Sequence, residues 1–143
     1  MIGLDTNVLI GLLVSSSSSH GEIKKDFDSL DDEFCTTPTN IGEVLRILTH
    51  PKVFSAPLKV DKAVSTLSDF FDSHSVRILD EDPDWWKSLI DIEKQIPGLK
   101  ENEIFDTRIA ICLRQHNVKR IFTRDSDFQK FPFLRVVRFL NRK

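Results

Sequence analysis

The chain has 143 residues, of which 40% are hydrophobic and 29% are charged, and its formal net charge is −2. This length and composition are typical of one soluble globular domain, residues 1–143, and exclude a disordered chain or a membrane protein. The apolar run 8–14 is too short to cross a bilayer and has no basic leader, so neither a membrane anchor nor a signal peptide is expected.

The small net charge conceals a strong asymmetry between the two parts of the chain. Residues 1–107 hold 10 Lys/Arg and 20 Asp/Glu, whereas residues 108–143 hold 10 Lys/Arg and only two Asp. The charges are therefore −10 and +8. A basic end beside acidic residues suits a metal-dependent enzyme acting on a polyanion. The alternative is that the cations form a solvated edge and tail, and the sequence leaves both open. The cations in question are Arg135, Arg138, Arg142 and Lys143.

Apolar periodicity predicts short strands alternating with helices along the chain. The first helix, through residues 8–14, is started by the capping sequence Asp5-Thr6-Asn7, and the run Ser15–Ser19 is predicted to be a flexible loop. The alternation indicates an α/β fold in which a short, mostly parallel sheet is flanked by helices on both faces. The predicted strands are 1–5, 34–36, 76–79, 119–123 and 135–139, and the later predicted helices are 22–33, 39–49, 60–73, 84–95 and 103–116.

The cysteine and tryptophan residues do not indicate a metal-binding or nucleic-acid-binding site. Cys35 and Cys112 lie in apolar stretches, which favours buried free thiols in a reducing cytoplasm. The four histidines are scattered, so zinc ligation is not predicted. Trp85 and Trp86 are interpreted as packing or partner contacts rather than as a base-stacking platform.

Two aspartates follow predicted strands. Asp5 ends the first strand and Asp125 follows the run 120–123. The carboxyl ends of the strands of an open α/β sheet line the ligand crevice, so both side chains are expected there. Carboxylates gathered in one place repel each other unless a hard cation neutralises them, which predicts a divalent-metal site.

Asp106 lies on the apolar face of a predicted helix. Ile109, Ala110 and Leu113 follow it at the spacing of one helical face. A carboxylate on a core-facing stripe is costly unless it is paired or bound to a metal. The competing interpretation is a role at the helix N-terminus, but Asn102 already offers a cap four residues earlier.

The remaining candidates are ambiguous from spacing alone. Glu43 lies off the apolar stripe of its helix but shares a mixed face with Asn40, so it is either an ordinary exposed residue or a site residue. Asp125 and Asp127 compete for the last acidic position, and Asp127 is also a candidate cap for the turn that carries Phe128. The polar neighbours of the acids have two open roles, helix capping or orientation of carboxylates. These neighbours are Thr6, Asn7 and Thr123.

Four motifs follow one another along the chain: Leu4-Asp5-Thr6-Asn7-Val8-Leu9-Ile10, Asn40-Ile41-Gly42-Glu43-Val44-Leu45-Arg46, Asn102 with Asp106-Thr107-Arg108-Ile109-Ala110, and Thr123-Arg124-Asp125-Ser126-Asp127-Phe128. In these motifs the chain resembles PIN-domain proteins, and specifically ribonuclease toxins of the VapC type. The resemblance spans nearly the whole chain in the expected order. It implies a three-layer sandwich, a Mg²⁺ or Mn²⁺ cofactor, endonuclease action on structured RNA such as tRNA, inhibition of translation, a cognate antitoxin, a homodimer and a cytoplasmic location.

By matching positions, the resemblance implies an acidic cluster that holds the metal. Asp5 and Asp106 are expected to be the principal ligands, and the number of metal ions stays open between one and two. The supporting residues are expected to be Thr6, Asn7, Asn40 and Thr123, and the candidates for contacts with the RNA backbone are Arg108, Lys119 and Arg124. The cluster consists of Asp5, Glu43, Asp106 and Asp125, with Asp127 at a more variable acidic position.

Two other functions compete with this hypothesis. A Mg²⁺-dependent phosphatase of the aspartyl-phosphate type needs a second aspartate two positions after the first, where this chain has Asn7. A catalytically quiet module that binds RNA or protein would be expected to have lost acidic residues, whereas all four are present here. The phosphate-binding loop rich in glycine and the nucleophile elbow of hydrolases are both absent from the sequence.

Overall fold

A computed structural model describes residues 1–139 of the chain. Within these residues, five strands alternate with helical segments, which comprise six α-helices and two 3₁₀ turns, Trp85–Ser88 and Ser126–Lys130. The strands are β1 (Ile2–Leu4), β2 (Phe34–Thr36), β3 (Arg77–Ile78), β4 (Arg120–Phe122) and β5 (Arg135–Val136). The helices are α1 (Thr6–Leu13), α2 (His20–Ser29), α3 (Pro38–Leu48), α4 (Val60–His74), α5 (Leu89–Gln95) and α6 (Glu103–Gln115).

The five strands form one parallel sheet in the order β3-β2-β1-β4-β5. From the central strand β1 the chain moves outward to β2 and β3, then returns to the other side of β1 for β4 and β5. The strand order therefore reverses between β1 and β4, and the crevice at the carboxyl ends of these two strands is the expected ligand site of an open α/β sheet. Asp5 follows β1 at this edge, and Asp125 lies three residues beyond β4.

The two faces of the sheet carry separate apolar cores, which confirms the predicted three-layer sandwich. Ile2 and Leu4 belong to the core shared with α1, α2, α3 and α4, whereas Ile109 and Leu113 of α6 belong to the other core. Gly3 of β1 faces α6, because a Cβ built on it would lie 2.9 Å from Leu113 Cδ2. This lack of a side chain lets α6, which carries Asp106, approach the central strand.

Several element bounds differ from the sequence-based prediction. Helix α1 begins at Thr6 rather than at residue 8, because the Asp5 side chain accepts a hydrogen bond from the Thr6 N–H and caps it. The predicted helix 84–95 is divided into a 3₁₀ turn and α5, and α2 covers His20–Ser29 instead of 22–33. The segment Ser15–Ser19 forms turns, in which the Ser17 N–H donates to the Val14 carbonyl.

The cysteines are buried free thiols, as predicted. Burial raises the pKa of the Cys35 thiol to about 12, so this group stays protonated and unreactive. Trp85 packs against the core beside α6, whereas the Trp86 side chain is 55% exposed. Within the part of the chain described here, no helix has the length and hydropathy needed to cross a membrane.

Candidate metal centre

Asp5 is a buried carboxylate held at the end of the central strand. Its residue is only 5% exposed, and both of its oxygens accept hydrogen bonds. Oδ1 accepts from the Thr6 N–H at 2.8 Å and from the Asn40 Nδ2 at 3.1 Å, and Oδ2 accepts from the Thr123 hydroxyl at 2.6 Å. Burial raises the pKa of Asp5 above its usual range and the charge of Glu43 adds to this, while the three hydrogen bonds oppose it. The position of the carboxylate is therefore set by α1, α3 and the loop after β4.

Helix α3 contributes Asn40 and Glu43 to the same place. The Asn40 side chain, 1% exposed, also donates to the Thr6 hydroxyl at 3.0 Å, and the Thr6 hydroxyl donates to Glu43 Oε1 at 2.8 Å. Thr37 caps α3 and donates its hydroxyl proton to Asn40 Oδ1 at 2.8 Å, which fixes the orientation of the amide. Glu43 is thus connected to Asp5 through one threonine.

Asp106 reaches the cluster from the first turn of α6. Burial, followed by the charges of Asp5 and Asp125, raises the pKa of Asp106 to about 6, and the nearby Lys130 partly offsets this. Asn102 occupies the cap position of α6, but its side chain makes no capping hydrogen bond. Asp106 therefore lies in a concentration of negative charge as well as near the helix N-terminus.

The loop after β4 supplies two further acids. Asp125 Oδ1 accepts a hydrogen bond from the Asp127 N–H at 2.9 Å, so Asp125 is the cap of the 3₁₀ turn and the alternative that Asp127 caps it is wrong. The Thr123 hydroxyl, besides donating to Asp5, accepts from the Asp125 N–H at 3.0 Å and from Asn7 Nδ2 at 3.2 Å. This single hydroxyl joins the ends of β1 and β4.

The arrangement fits a hard divalent cation. Asp106, Asp125 and Asp127 each offer a carboxylate oxygen within 4.8 Å of the others, and the charge of Asp5 acts on Asp106. Oxygen ligands from carboxylates are the donors that Mg²⁺ and Mn²⁺ prefer. Several charged carboxylates at this separation repel each other, and a bound cation would remove that repulsion.

The two arginines next to the acids in sequence are engaged in ion pairs. Arg108 forms a double hydrogen bond to Glu81 at 2.6 and 2.7 Å, and its guanidinium lies 4.3 Å from the centre of the Trp85 ring. Arg124 Nη1 contacts Glu22 Oε1 at 3.0 Å, and both side chains are at least 40% exposed. Arg124 lies beside Asp125 and lines a groove of about 460 Å³ together with Arg138.

Lys119 is not brought to the acidic cluster. It precedes β4, whereas the acids follow β4, so a whole strand separates them along the sheet. It lines a different depression together with Arg120 and Arg135. The basic residues of the C-terminal part are therefore divided between the two ends of the strands, and Arg142 and Lys143 lie outside the described residues.

Sequence reasoning did not single out Thr37, Lys130, Glu22 or Glu81. Thr37 could have been found, since a threonine before Pro38 and three residues before Asn40 is a helix-start signal. The others gave no signal, because their contacts join segments distant in the chain. Lys130 pairs with Glu103 at 3.0 Å and lies close enough to Asp106 to lower its pKa.

The protein is an α/β protein with a parallel sheet whose strand order reverses at the central strand. The acids at the carboxyl edge of this sheet form a site of the kind that binds divalent metal ions. The PIN domain model matches residues 2–134, and the chain belongs to this family. The family model confirms the predicted resemblance to PIN-domain proteins, and the relatives below confirm its VapC type.

The similar proteins carry the names of a ribonuclease, a toxin and a toxin-antitoxin complex. The chain is 28% identical over 99 residues to Ribonuclease VapC48 of Mycobacterium tuberculosis, which covers 69% of this chain and 67% of the relative. Two solved structures share the fold. VapC20 of Mycobacterium tuberculosis, described as a sarcin-ricin loop cleaving toxin, has a TM-score of 0.68 at 16% identity and covers 90% of this chain and 93% of its own. A toxin-antitoxin complex from Klebsiella pneumoniae has a TM-score of 0.59 at 20% identity, with 96% and 97% covered.

Proposed function

We propose that this protein is a metal-dependent endoribonuclease toxin of the VapC type that cleaves structured RNA, tRNA foremost, and thereby inhibits translation. The observation that carries the proposal is the convergence of the acids at one edge of the sheet. Asp106, Asp125 and Asp127 offer oxygens within 4.8 Å of one another, and Asp5 is close enough to raise the pKa of Asp106. The name of the VapC48 relative supports the ribonuclease activity.

Each side chain has a defined task in this proposal. Asp5 and Asp106 are the principal ligands of Mg²⁺ or Mn²⁺, and Glu43 and Asp125 complete the cluster directly or through water, with Asp127 as a further ligand. A cation held by these residues would lower the pKa of a water molecule that serves as the nucleophile and would offset charge on the leaving oxygen. Asn40 and Thr123 orient the Asp5 carboxylate and favour its charged form against the effect of burial, because both donate hydrogen bonds to it.

The proposed protein partner rests on the similarity to solved toxin structures. Since a related fold occurs in a toxin-antitoxin complex, we propose a cognate antitoxin that blocks the acidic cleft. A homodimer and a cytoplasmic location are part of the proposal as well. The sarcin-ricin loop named for VapC20 is ribosomal RNA, so ribosomes are a second substrate to test beside tRNA.

Cleavage of purified tRNA and of intact ribosomes tests the proposal. We expect discrete fragments with Mg²⁺ or Mn²⁺ and none with EDTA or with Asp106→Asn. The matched control is Asp69→Asn, which removes an exposed carboxylate of α4 outside the cluster and should cleave like the wild type. RNA binding without any product, from folded protein free of antitoxin, would instead indicate a catalytically quiet module.

Salt dependence should distinguish two of the three candidate phosphate contacts, Arg124 and Lys119. Arg124→Ala should weaken RNA binding and lower the slope of log affinity against log salt by about 0.7, the value for one phosphate of a single strand. Lys119→Ala should leave the slope unchanged, because Lys119 lies at the other end of β4. Titration of fluorescent RNA at several salt concentrations measures both. An equal change in the two variants would contradict the assignment of RNA to the carboxyl edge.

A further inference from the structure

A groove of about 530 Å³ opens between α3 and α6, immediately beside the acidic cluster. Its lining combines an aromatic ring, a guanidinium and an amide around a residue without a side chain. A Cβ built on that residue, Gly42, would meet no atom within 4 Å, so there is open space above the helix at this point. The groups around it are Phe105, Arg46 and Asn102.

The side chains of these three residues take no part in the apolar cores, hydrogen bonds or ion pairs of the described fold. The Phe105 side chain belongs to neither apolar core, and the residue is 49% exposed. Within residues 1–139, the side chains of Arg46 and Asn102 make no hydrogen bond or ion pair. Arg108, which also lines the groove, is by contrast committed to Glu81. An exposed aromatic ring and an unpaired guanidinium are therefore available to a ligand.

The groove is continuous with the proposed metal centre. Glu43 lines it and also accepts the hydrogen bond of Thr6, the neighbour of Asp5. Phe105 directly precedes Asp106 in α6. The mouth of this groove is therefore one place that the unit next to a phosphodiester bound at the acids can reach.

We propose that the groove is a nucleotide subsite that holds the unpaired nucleotide next to the scissile phosphate. Its base stacks on Phe105, the Asn102 amide hydrogen-bonds to the base edge, and the Arg46 guanidinium binds the backbone phosphate. Stacking on aromatic rings together with cationic backbone contacts is the general mode of single-stranded RNA binding. The inference rests on the proposed nuclease function and specifies the form of its substrate: an RNA that is single-stranded beside the cleaved bond.

The chemistry of the groove favours a nucleotide over a peptide segment. Docking of an amphipathic helix needs a row of apolar contacts along the groove. Phe105 is the one large exposed apolar side chain of the described lining, whereas the other large exposed apolar residues in residues 1–139 lie on different elements. The isolated ring suits stacking on a base, the guanidinium suits a phosphate, and the amide suits the hydrogen-bonding edge of the base.

The test combines a change in the protein with a change in the substrate. The substrate is the shortest RNA that contains a mapped cleavage site, made intact and with the base removed on either side of the cleaved bond. Phe105→Ala should raise KM roughly 5- to 150-fold, the range for one lost stacking contact, with a smaller change in kcat. Phe105→Trp should retain the affinity. Removing the stacked base from the RNA should weaken its binding to the wild-type protein by a similar factor. The same removal should not weaken binding to Phe105→Ala any further, because both changes delete the same contact.

Two control variants test whether the effect is specific to the groove. Trp86→Ala removes an exposed ring outside the groove and Arg77→Ala an exposed guanidinium on β3, and both should behave like the wild type, whereas Arg46→Ala should weaken binding. If Phe105→Ala has the wild-type KM while removal of the base still weakens binding, the subsite proposal is overturned. If Phe105→Ala loses only the binding of antitoxin, the proposal is overturned too, and the groove is then a protein-binding surface. If the wild-type protein cleaves no RNA, the nuclease proposal fails, but Phe105-dependent binding of random single-stranded RNA in Ca²⁺ would still support the subsite.

Discussion

Asp106→Asn should abolish RNA cleavage and, in the metal-free protein, raise the free energy of unfolding. Cleavage should fall roughly 100-fold or more, since even residues that only support a metal ligand are worth 10- to 100-fold. Stability should rise because burial and the neighbouring carboxylates raise the pKa of Asp106 from 3.8 to about 6, so the charged form opposes folding. That difference corresponds to about 3 kcal/mol, and partial solvent exposure reduces the expected gain to about 1–2 kcal/mol.

The sign of this effect gives it a defined pH dependence. The folded protein binds the proton of Asp106 more tightly than the unfolded chain, so the penalty is absent below about pH 4 and complete above about pH 6. Urea unfolding in EDTA should therefore show equal stability of variant and wild type at pH 4 and a more stable variant at pH 7. Asp69→Asn is the control for loss of an exposed carboxylate. A variant that is less stable at pH 7, or that cleaves at the wild-type rate, would contradict the role given to Asp106.

Asn40→Asp should be among the most destabilising conservative substitutions in this protein. The side chain keeps its shape, but a carboxylate oxygen would replace the amide nitrogen that lies 3.1 Å from Asp5 Oδ1, at a residue that is 1% exposed. Uncompensated charge in such a position costs about 3–5 kcal/mol. The introduced carboxyl would have a raised pKa in the folded protein, so its penalty should shrink as the pH falls toward 4.

Urea unfolding in EDTA at pH 7 and pH 5 measures this effect without competition from metal. Asn40→Ala is the matched comparison, because it removes the hydrogen bonds to Asp5 and Thr6 without adding charge. It should cost about 1–3 kcal/mol and recover less on acidification than Asn40→Asp, because it only removes a hydrogen bond that lowers the pKa of Asp5. An Asn40→Asp protein with the wild-type midpoint at pH 7 would show that the buried amide does not support Asp5.

The sheet and its acidic edge were predictable because both depend on local patterns. Short apolar runs alternating with amphipathic segments indicate parallel strands and their crossover helices, and a carboxylate after a strand must lie at the strand's carboxyl end. Glu43 was ambiguous by the same logic. Its hydrogen bond comes from Thr6, 37 residues earlier in the chain, and helical spacing contains no information on such a contact.

Adjacency in sequence was a poor guide to the basic residues. Arg108 follows Asp106 by two positions, which on a helix turns its side chain about 200° away, and it pairs with Glu81 instead. Lys119 is six residues before Asp125, but the extended strand β4 between them spans about 10 Å. Phe105 was likewise visible only as a helical residue, since its exposure depends on how α3 and α6 pack.

The hydrogen bond from Thr123 to Asp5 spans 118 residues, and it has a consequence for the order in which the protein matures. The central strand is made first, yet its second neighbour in the sheet is β4, near the other end of the chain. Contacts of such long range form late because loop closure must precede them. A growing polypeptide on the ribosome that lacks its last third carries Asp5 and Glu43 but neither Asp106 nor Asp125. If the proposed nuclease function holds, the nascent chain is not expected to cleave the RNA that surrounds it until the segment from Asp106 to Asp125 has been made and folded.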